Sequence, residues 1–196
     1  MRCPSCRAVF AAPREKCAHC GLTLAALDRK FGFVPRYSRY LTDKTQRLSV
    51  RELNQLRDAL RLFQRKFPQL LFSVMLINLW PRGAMSEYAF WLINRARFTE
   101  LQATGSTNFE LLLVIDPEAA EATLITGYGL ENYLSEDDLE AALNAARPGL
   151  EARDFARAIS NCIDFTTGRL RQIAMQIEGQ SSSDASPIPQ PAAETS

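Results

Sequence analysis

Residues 70–79 read LLFSVMLINL, an apolar run that follows Pro68 and precedes the turn at residues 80–83. A short apolar run bounded by turn signals is typical of a strand that is buried on both faces of a sheet. The run is also much shorter than the roughly 20 apolar residues that a membrane-spanning helix needs, and no other segment is longer. We therefore take residues 70–79 as the central strand of an α/β fold and expect no membrane span.

Helical patterns lie on both sides of this strand. Before it, Ser49 and Glu52 form a capping box. The apolar positions of the helix that follows are spaced by three and four residues: Leu53, Leu56, Leu60, Phe63 and Phe67. After the strand, residues 86–98 read as a helix with Phe90, Ile93 and Ala96 facing inward.

Two further strands are predicted at residues 110–116 and 122–126. The order strand, helix, strand predicts a right-handed crossover that joins two parallel strands. Residues 117–120 are short enough for a hairpin into the third strand. The sequence therefore indicates a small mixed sheet with helices on its faces.

The C-terminal part reads as two helices and a tail. Ser135 caps the first helix, which Pro148-Gly149 is expected to end, and the second runs over residues 151–178. Its apolar stripe comprises Phe155, Ala158, Ile159, Cys162, Ile173 and Ile177. Cys162 on this stripe is expected to be a buried, inert thiol. Residues 179–196 are rich in Ser, Pro and Ala, and we predict a disordered tail.

The first twenty residues contain two Cys-x-x-Cys pairs, Cys3-Pro-Ser-Cys6 and Cys17-Ala-His-Cys20. Two such turns can complete the tetrahedral thiolate shell that zinc prefers, so we predict a structural Zn²⁺ site in a ribbon over residues 1–32. A disulfide pair, a redox site and an iron site are the alternatives, and His19 is a possible replacement ligand. Four thiolates leave no open position on the metal, so catalysis there is not expected.

Charge is distributed unevenly along the chain. The whole chain has a formal net charge of +1, but residues 1–66 contain 15 Lys and Arg against 5 Asp and Glu. This basic third is compatible with nucleic-acid binding, or with a basic surface that lies against an acidic body or partner. The first thirty residues contain no signal-type apolar segment, so we expect a cytoplasmic protein.

Several motifs between residues 34 and 170 resemble those of the TPM-domain family. They are Tyr40-Leu41-Thr42-Asp43 with Leu48-Ser49, Glu87-Tyr88-Ala89, Asn108 before Leu111-Leu112-Leu113-Val114, and Gly127-Tyr128-Gly129-Leu130-Glu131. The resemblance implies an α/β sandwich over residues 33–178. It also implies that Asp43, Asn108 and Glu136 lie near an edge that binds Ca²⁺ or Mg²⁺, and that weak acid phosphatase activity is an option.

Two positions depart from the residues that this family commonly has. Thr107-Asn108-Phe109 stands where Asp-Asn-Gly is common, and Glu136 stands where Asp is common. Each change weakens a site built from converging oxygen ligands. The turn formed by Gly127, Tyr128 and Gly129 could cradle an anion through its amides, or could simply be a tight connection from strand to helix.

We predict from these observations a non-catalytic interaction or regulatory module, a TPM-like domain with a structural zinc ribbon that docks on a protein partner. The chain's single histidine, His19, belongs to the ribbon, so the body has no histidine for a nucleophilic pair. The alternatives are a divalent-metal-dependent acid phosphatase and a protein that binds nucleic acid through its basic N-terminal third.

Overall fold

The computed structural model of the chain describes residues 2–10, 14–79, 85–95 and 107–183. Its helices are α1 (Leu24–Phe31), α2 (Val50–Lys66), α3 (Met85–Arg95), α4 (Glu136–Glu151) and α5 (Phe155–Ser183). Its strands are β1 (Leu41–Asp43), β2 (Leu71–Leu76), β3 (Glu110–Asp116) and β4 (Glu121–Thr126). Short 3-10 turns at Thr107–Phe109 and Tyr128–Leu130 precede β3 and follow β4.

The four strands form one mixed sheet in the order β1-β2-β3-β4. β1, β2 and β3 are parallel, and β4 returns antiparallel to β3. The parallel pairing of β2 with β3 across α3 confirms the predicted crossover, and the hairpin from β3 to β4 is also confirmed. β1 was not predicted, because three residues are too few to show an apolar alternation.

Helices cover both faces of the sheet, so the fold is the predicted α/β sandwich. On one face, α2, α4 and α5 pack on Val74, Leu113 and Leu124. On the other face, α1 and α3 pack on Met75 and Leu112. The alternation of side chains along β2 and β3 supplies both cores, which is why these strands read as continuous apolar runs.

Local signals in the sequence set most helix starts. The capping box of Ser49 and Glu52 is present at α2, and Leu56, Leu60 and Phe63 of the predicted stripe are buried. Ser135 caps α4 through the amide of Asp138. In α5 the predicted stripe is buried as far as Cys162, but Ile177 is 44% exposed because the end of α5 extends beyond the body.

The ends of two helices differ from the predictions, and a third helix was not predicted. α4 continues through Pro148 to Glu151. A proline in the last turn removes one amide donor, but its carbonyl still accepts from the Ala152 amide at 3.2 Å. α5 extends to Ser183, five residues into the predicted tail. α1 falls within the segment assigned to the ribbon, yet it packs on α3 as part of the α/β core.

None of the helices in the described part of the chain combines the length and the apolar character that a membrane crossing requires. Ala96, predicted to face inward, and the turn at residues 80–83 lie outside the described residues.

Candidate functional site

The four N-terminal cysteines lie on two equivalent turns. The amide of Arg7 donates to the Cys3 carbonyl at 3.0 Å, and the amide of Gly21 donates to the Cys17 carbonyl at 2.9 Å. Arg7 and Gly21 have φ angles of +62° and +77°, so both turns use the left-handed conformation that favours glycine. An isolated antiparallel bridge flanks each turn, Arg2 with Val9 and Lys16 with Thr23.

The four sulfurs are close enough to bind one metal ion. All of the Sγ atoms lie within 4.8 Å of one another. The separation is 3.6 Å from Cys3 to Cys20 and 3.7 Å from Cys6 to Cys17. A tetrahedral ion with metal–sulfur bonds of ~2.3 Å places its ligands about 3.8 Å apart. The cysteines therefore form a candidate metal site with the right ligand number and spacing.

The protein backbone favours a thiolate at one of these ligands. The Cys20 amide points at Cys17 Sγ over 3.4 Å. This hydrogen bond is the largest of several that together lower the pKa of the Cys17 thiol to about 6 against the effect of burial. Backbone amides that donate hydrogen bonds to the sulfur ligands are a common feature around thiolate metal sites.

We define the ribbon as the two cysteine turns at residues 2–10 and 14–23, and it lies at the starts of α3 and α4. Arg2 Nε forms an ion pair of 2.6 Å with Glu136 Oε2 at the start of α4. In α1, directly after the ribbon, Lys30 Nζ pairs with Glu87 Oε2 at 2.6 Å. Burial raises the pKa of Glu87, but hydrogen bonds from Lys30 and Ser5 outweigh it and hold that pKa below its ordinary value. These contacts fix the ribbon over the gap between the two helices.

A cleft of about 980 Å³ lies beneath the ribbon. Its floor is β4, and its apolar walls are Phe90 and Ile93 of α3 and Leu139 and Leu143 of α4. Arg2, Cys3, Pro4 and Arg7 of the ribbon line one side. The cleft thus has a volume that is typical of a binding site, and its lining combines apolar and charged side chains.

The floor of this cleft is a strand edge. The Gly127 amide donates to the Glu110 carbonyl at 2.8 Å, and the register pairs Thr126 with Leu111. Hydrogen-bonded and non-hydrogen-bonded pairs alternate in an antiparallel ladder, so the backbone groups of Ala122, Leu124 and Thr126 face away from β3. No described strand pairs with this outer edge.

Asp43 lies at the end of β1, where it organises the turn into α2. Its Oδ1 accepts from the amide and the hydroxyl of Thr45 at 2.8 and 2.7 Å, and its Oδ2 accepts from the Leu48 amide at 2.9 Å. Asp116 plays the same part after β3, where it accepts from the amides of Leu79, Glu118 and Ala119. Both carboxylates at this end of the sheet are therefore used by the backbone.

Asn108 and Glu136 lie at the other end of the sheet. Asp43 pairs with Leu76 and Leu76 with Ile115, five residues along β3 from its start at Glu110. At ~3.3 Å per residue, Asp43 is displaced along the strands by about 16 Å from the end where Asn108 lies. Glu136 forms its ion pair with Arg2. Because Asp43 is so far from Asn108, the three side chains do not converge, and they do not fit a shared Ca²⁺ or Mg²⁺ ion.

A model of the TPM domain matches residues 41–167, about two thirds of the chain. The chain belongs to the TPM-domain family. The match covers the strands, α2, α3 and α4, and it begins after the ribbon and α1. A search of curated protein sequences found no match.

Solved structures share the fold of this TPM domain. The N-terminal domain of a protein from P. gingivalis is 21% identical with a TM-score of 0.55, and the match covers 68% of this chain and 82% of that one. The N-terminal domain of a Corynebacterium glutamicum protein is 17% identical with a TM-score of 0.50, covering 83% and 93%. The BA42 protein from Bizionia argentinensis is 15% identical with a TM-score of 0.56, covering 66% and 86%.

The Gly-Tyr-Gly turn of the TPM domain is explained by packing. Gly127 has an ordinary φ of −69° and uses its amide in the sheet, so that amide is not free for an anion. A Cβ at Gly129 would lie 2.8 Å from the Phe109 ring and 2.9 Å from the Asn108 carbonyl oxygen. Tyr128 is half-buried, and burial together with the charge of Glu131 raises its pKa. The turn therefore closes the start of β3 and contributes to one end of the cleft.

Sequence reasoning missed two features of the TPM domain. The cleft depends on α3, β4 and α4 meeting in space, so no single motif marks it. The sequence also did not show that Arg39 and Tyr40 line a separate surface depression with residues of α2. Among the described residues, the four cysteines are the only group of three or more His, Cys, Asp or Glu side chains placed to share a metal ion.

Proposed function

We propose that this TPM domain is a protein-interaction module whose ribbon is held by zinc. The observation that carries the proposal is the outward-facing edge of β4 at the floor of the cleft between α3 and α4. An exposed strand edge is a template for an extended peptide, which adds to the sheet through backbone hydrogen bonds. The occupant is therefore an extended segment of a partner protein.

The walls of the cleft support this mode of binding. In an added strand, alternate side chains point to opposite faces of the sheet. One set would meet Phe90 and Ile93 of α3, and the other would meet Leu139 and Leu143 of α4. A partner segment with alternating apolar residues would bury both sets.

The charges at the cleft favour a basic segment. Its lining contains Glu121, Glu131, Glu136, Glu140 and Glu151 against Arg2, Arg7 and Arg147. Glu136 and Arg2 neutralise each other. None of the ion pairs in the described residues involves Glu121, Glu140 or Glu151, so their charges are available to lysines and arginines of a partner.

Zinc is the metal that best suits the ribbon. Four thiolates with tetrahedral spacing are the ligand set of structural zinc sites, and they leave no position open for a substrate. The metal would hold the two turns together and so keep Arg2, Cys3, Pro4 and Arg7 at the side of the cleft. Elemental analysis of anaerobically purified protein should give one zinc per chain, and a Cys20→Ser variant should lose it. Protein without bound metal would refute this part of the proposal.

The binding mode can be tested with peptides selected from a random library on the zinc-loaded protein. A bound peptide should protect the amides of Ala122, Leu124 and Thr126 from hydrogen exchange. Ala122→Pro removes one outward-facing donor while leaving the ladder to β3 intact, so it should abolish binding. Glu140→Lys should weaken the binding of basic peptides. Asp164→Lys on α5 makes an equal change of charge outside the cleft and should leave their binding unchanged. Peptides that bind equally to all variants would refute the site.

A direct assay separates this function from hydrolysis. We expect no turnover of a chromogenic phosphate monoester with Ca²⁺, Mg²⁺ or Mn²⁺, in the wild type or in the Asp43→Ala and Glu136→Ala variants. Turnover that is present in the wild type and lost in both variants would establish a hydrolase and overturn the non-catalytic assignment.

A further inference from the structure

Residues 2–5 of the ribbon, which we call the strap, reach from one wall of the cleft to the other. At one end, Arg2 Nε pairs with Glu136 Oε2 at the start of α4, over 2.6 Å. At the other end, Ser5 forms a side-chain hydrogen bond with Glu87 at the start of α3. The two residues between these contacts line the cleft. The strap therefore crosses the mouth of the cleft.

The position of the strap follows from the layers of the fold. α4 packs in the core on one face of the sheet, and α3 packs in the core on the other face. β4 is the edge strand that lies between them. A segment that joins the starts of these two helices therefore passes the outer edge of β4. An added strand would form its backbone hydrogen bonds at this same edge, so the strap lies on the route by which a partner segment reaches β4.

The two ends of the strap differ in how firmly they are held. The Glu87 side chain is only 15% exposed and also pairs with Lys30 at 2.6 Å, so the Ser5 end belongs to a partly buried network. At the other end, the side chains of Arg2 and Glu136 are 47% and 52% exposed, and water competes for both charges. Arg2 also precedes the first cysteine of the ribbon, so its side chain can leave Glu136 without any change at the four sulfurs. The contact of Arg2 with Glu136 is therefore the end of the strap that opens more readily.

Arg2 occupies a place that suits a basic side chain of the partner. One side of α4 lines the cleft with residues spaced by three and four, Glu136, Leu139, Glu140 and Leu143. A lysine or arginine on an added strand would lay its aliphatic stem along the leucines and bring its charge to the glutamates. Glu140 forms no ion pair among the described residues, whereas Glu136 is already paired with Arg2. Arg2 and a basic partner residue would thus compete for Glu136.

We infer that the strap is autoinhibitory, with Arg2 holding Glu136 in the free protein until a basic residue of the partner segment displaces it. The inference rests on the proposed function of the cleft, and it adds a requirement on the partner. Glu136 and Glu140 are one helical turn apart, about 6 Å between their Cβ atoms. Residues i and i+2 of a strand are about 7 Å apart and point to the same face. A partner with two basic residues separated by one residue can therefore reach both glutamates.

The test compares the zinc-loaded wild type with Arg2→Gln. Peptides are selected from a random library on each protein, and the tightest of them is measured on both. Arg2→Gln should bind it about twofold to fivefold more tightly, because no ion pair at Glu136 has to be broken. In the wild type, the NMR signal of Arg2 Nε–Hε should move on binding to the position that it has in free Glu136→Gln, which lacks the pair. Unchanged amide spectra and metal content show that each variant is folded.

A second substitution separates displacement of Arg2 from a general change of charge. Glu136→Gln should weaken peptide binding about twofold to fivefold in the Arg2→Gln background. In the wild type it should have little effect, because the lost contact with the peptide is balanced by the lost contact with Arg2. Arg147→Gln removes an equal charge from the cleft lining, and Arg147 forms no ion pair among the described residues. In that background Glu136→Gln should again have little effect.

The outcomes distinguish this inference from the proposed function. Equal effects of Glu136→Gln in all three backgrounds would overturn the inference and leave the cleft as a binding site. So would an Arg2 signal that the bound peptide leaves unchanged, or selected peptides that lack the pair of basic residues. If no peptide binds either protein, the proposed function is wrong and the inference fails with it.

Discussion

Glu110, the first residue of β3, should make the stability of this protein depend on pH. It is only 1% exposed. Its Oε1 accepts from the Tyr37 hydroxyl at 3.0 Å. Burial raises the pKa of this carboxyl from its ordinary value of 4.5 to about 7, even though the hydrogen bond from Tyr37 acts in the other direction.

The size of the effect follows from this pKa. Each tenfold change in proton affinity corresponds to about 1.36 kcal/mol. The free energy of unfolding is therefore about 3 kcal/mol larger when Glu110 is protonated in both states than when it is ionised in both states. The folded pKa is raised, so this stabilisation is fully present below pH 4.5 and is lost as the pH rises through about 7. Glu110→Gln is neutral at every pH and should lack this dependence.

Urea unfolding of the wild type and of Glu110→Gln should be compared at several values between pH 5 and pH 8. The difference between their free energies of unfolding should change by about 2–3 kcal/mol across this range, with the wild type losing stability relative to the variant as the pH rises. Taking the difference removes the contributions of other titrating groups. Glu140→Gln, at an exposed position on α4, serves as the control. Parallel curves for the wild type and Glu110→Gln would refute the reasoning.

Three further predictions concern the packing and the ribbon. A Cβ at Gly149 would lie 2.5 Å from the Ala158 backbone nitrogen, so Gly149→Ala should lower the free energy of unfolding by about 1–3 kcal/mol in thermal denaturation. A Cβ at Gly168 would have no atom within 4 Å, so Gly168→Ala should raise it by about 0.5–1 kcal/mol. Equal effects of the two variants would contradict the close packing of α4 on α5. Arg7→Gly relieves a positive φ and should slow the loss of zinc to a chelator, while Gly21→Ala should speed it, and no change in either would argue against the two equivalent turns. Removing the metal should increase hydrogen exchange in the ribbon but leave β3 protected, and uniform exchange would show that the ribbon and the sheet unfold together.

The fold was largely predictable because its main elements carry local signals. β2 and β3 are buried on both faces, and their continuous apolar runs predicted this burial. The capping box at Ser49 marked the start of α2. β1 and α1 were missed for a different reason. β1 is too short to show a pattern, and α1 owes its place to contacts with distant residues, since Asp28 Oδ1 accepts from Trp91 Nε1 at 2.9 Å and from Arg95 Nε at 3.0 Å.

The candidate sites were less predictable than the fold. The cysteine spacing identified the candidate metal ligands, because a Cys-x-x-Cys turn fixes its own geometry. The proposed divalent edge depended instead on how distant residues meet, and the register places Asp43 at the opposite end of the strands from Asn108. No local pattern could supply that register. The cleft could not be predicted for the same reason, because its floor exists only where β4 lies at the edge of the sheet.

The uneven charge of the chain affects both its N-terminal segments and the cleft. Part of the basic N-terminal third is neutralised by acidic residues of the body, through Arg2 with Glu136, Lys30 with Glu87 and Arg47 with Glu118. These pairs hold the N-terminal segments on the α/β core. Arg39 and Arg65 form no such pair among the described residues, and Arg61 pairs only with its neighbour on α2, Asp58. Glu121, Glu140 and Glu151 at the cleft form no ion pair among the described residues, so the cleft should select ligands of positive charge.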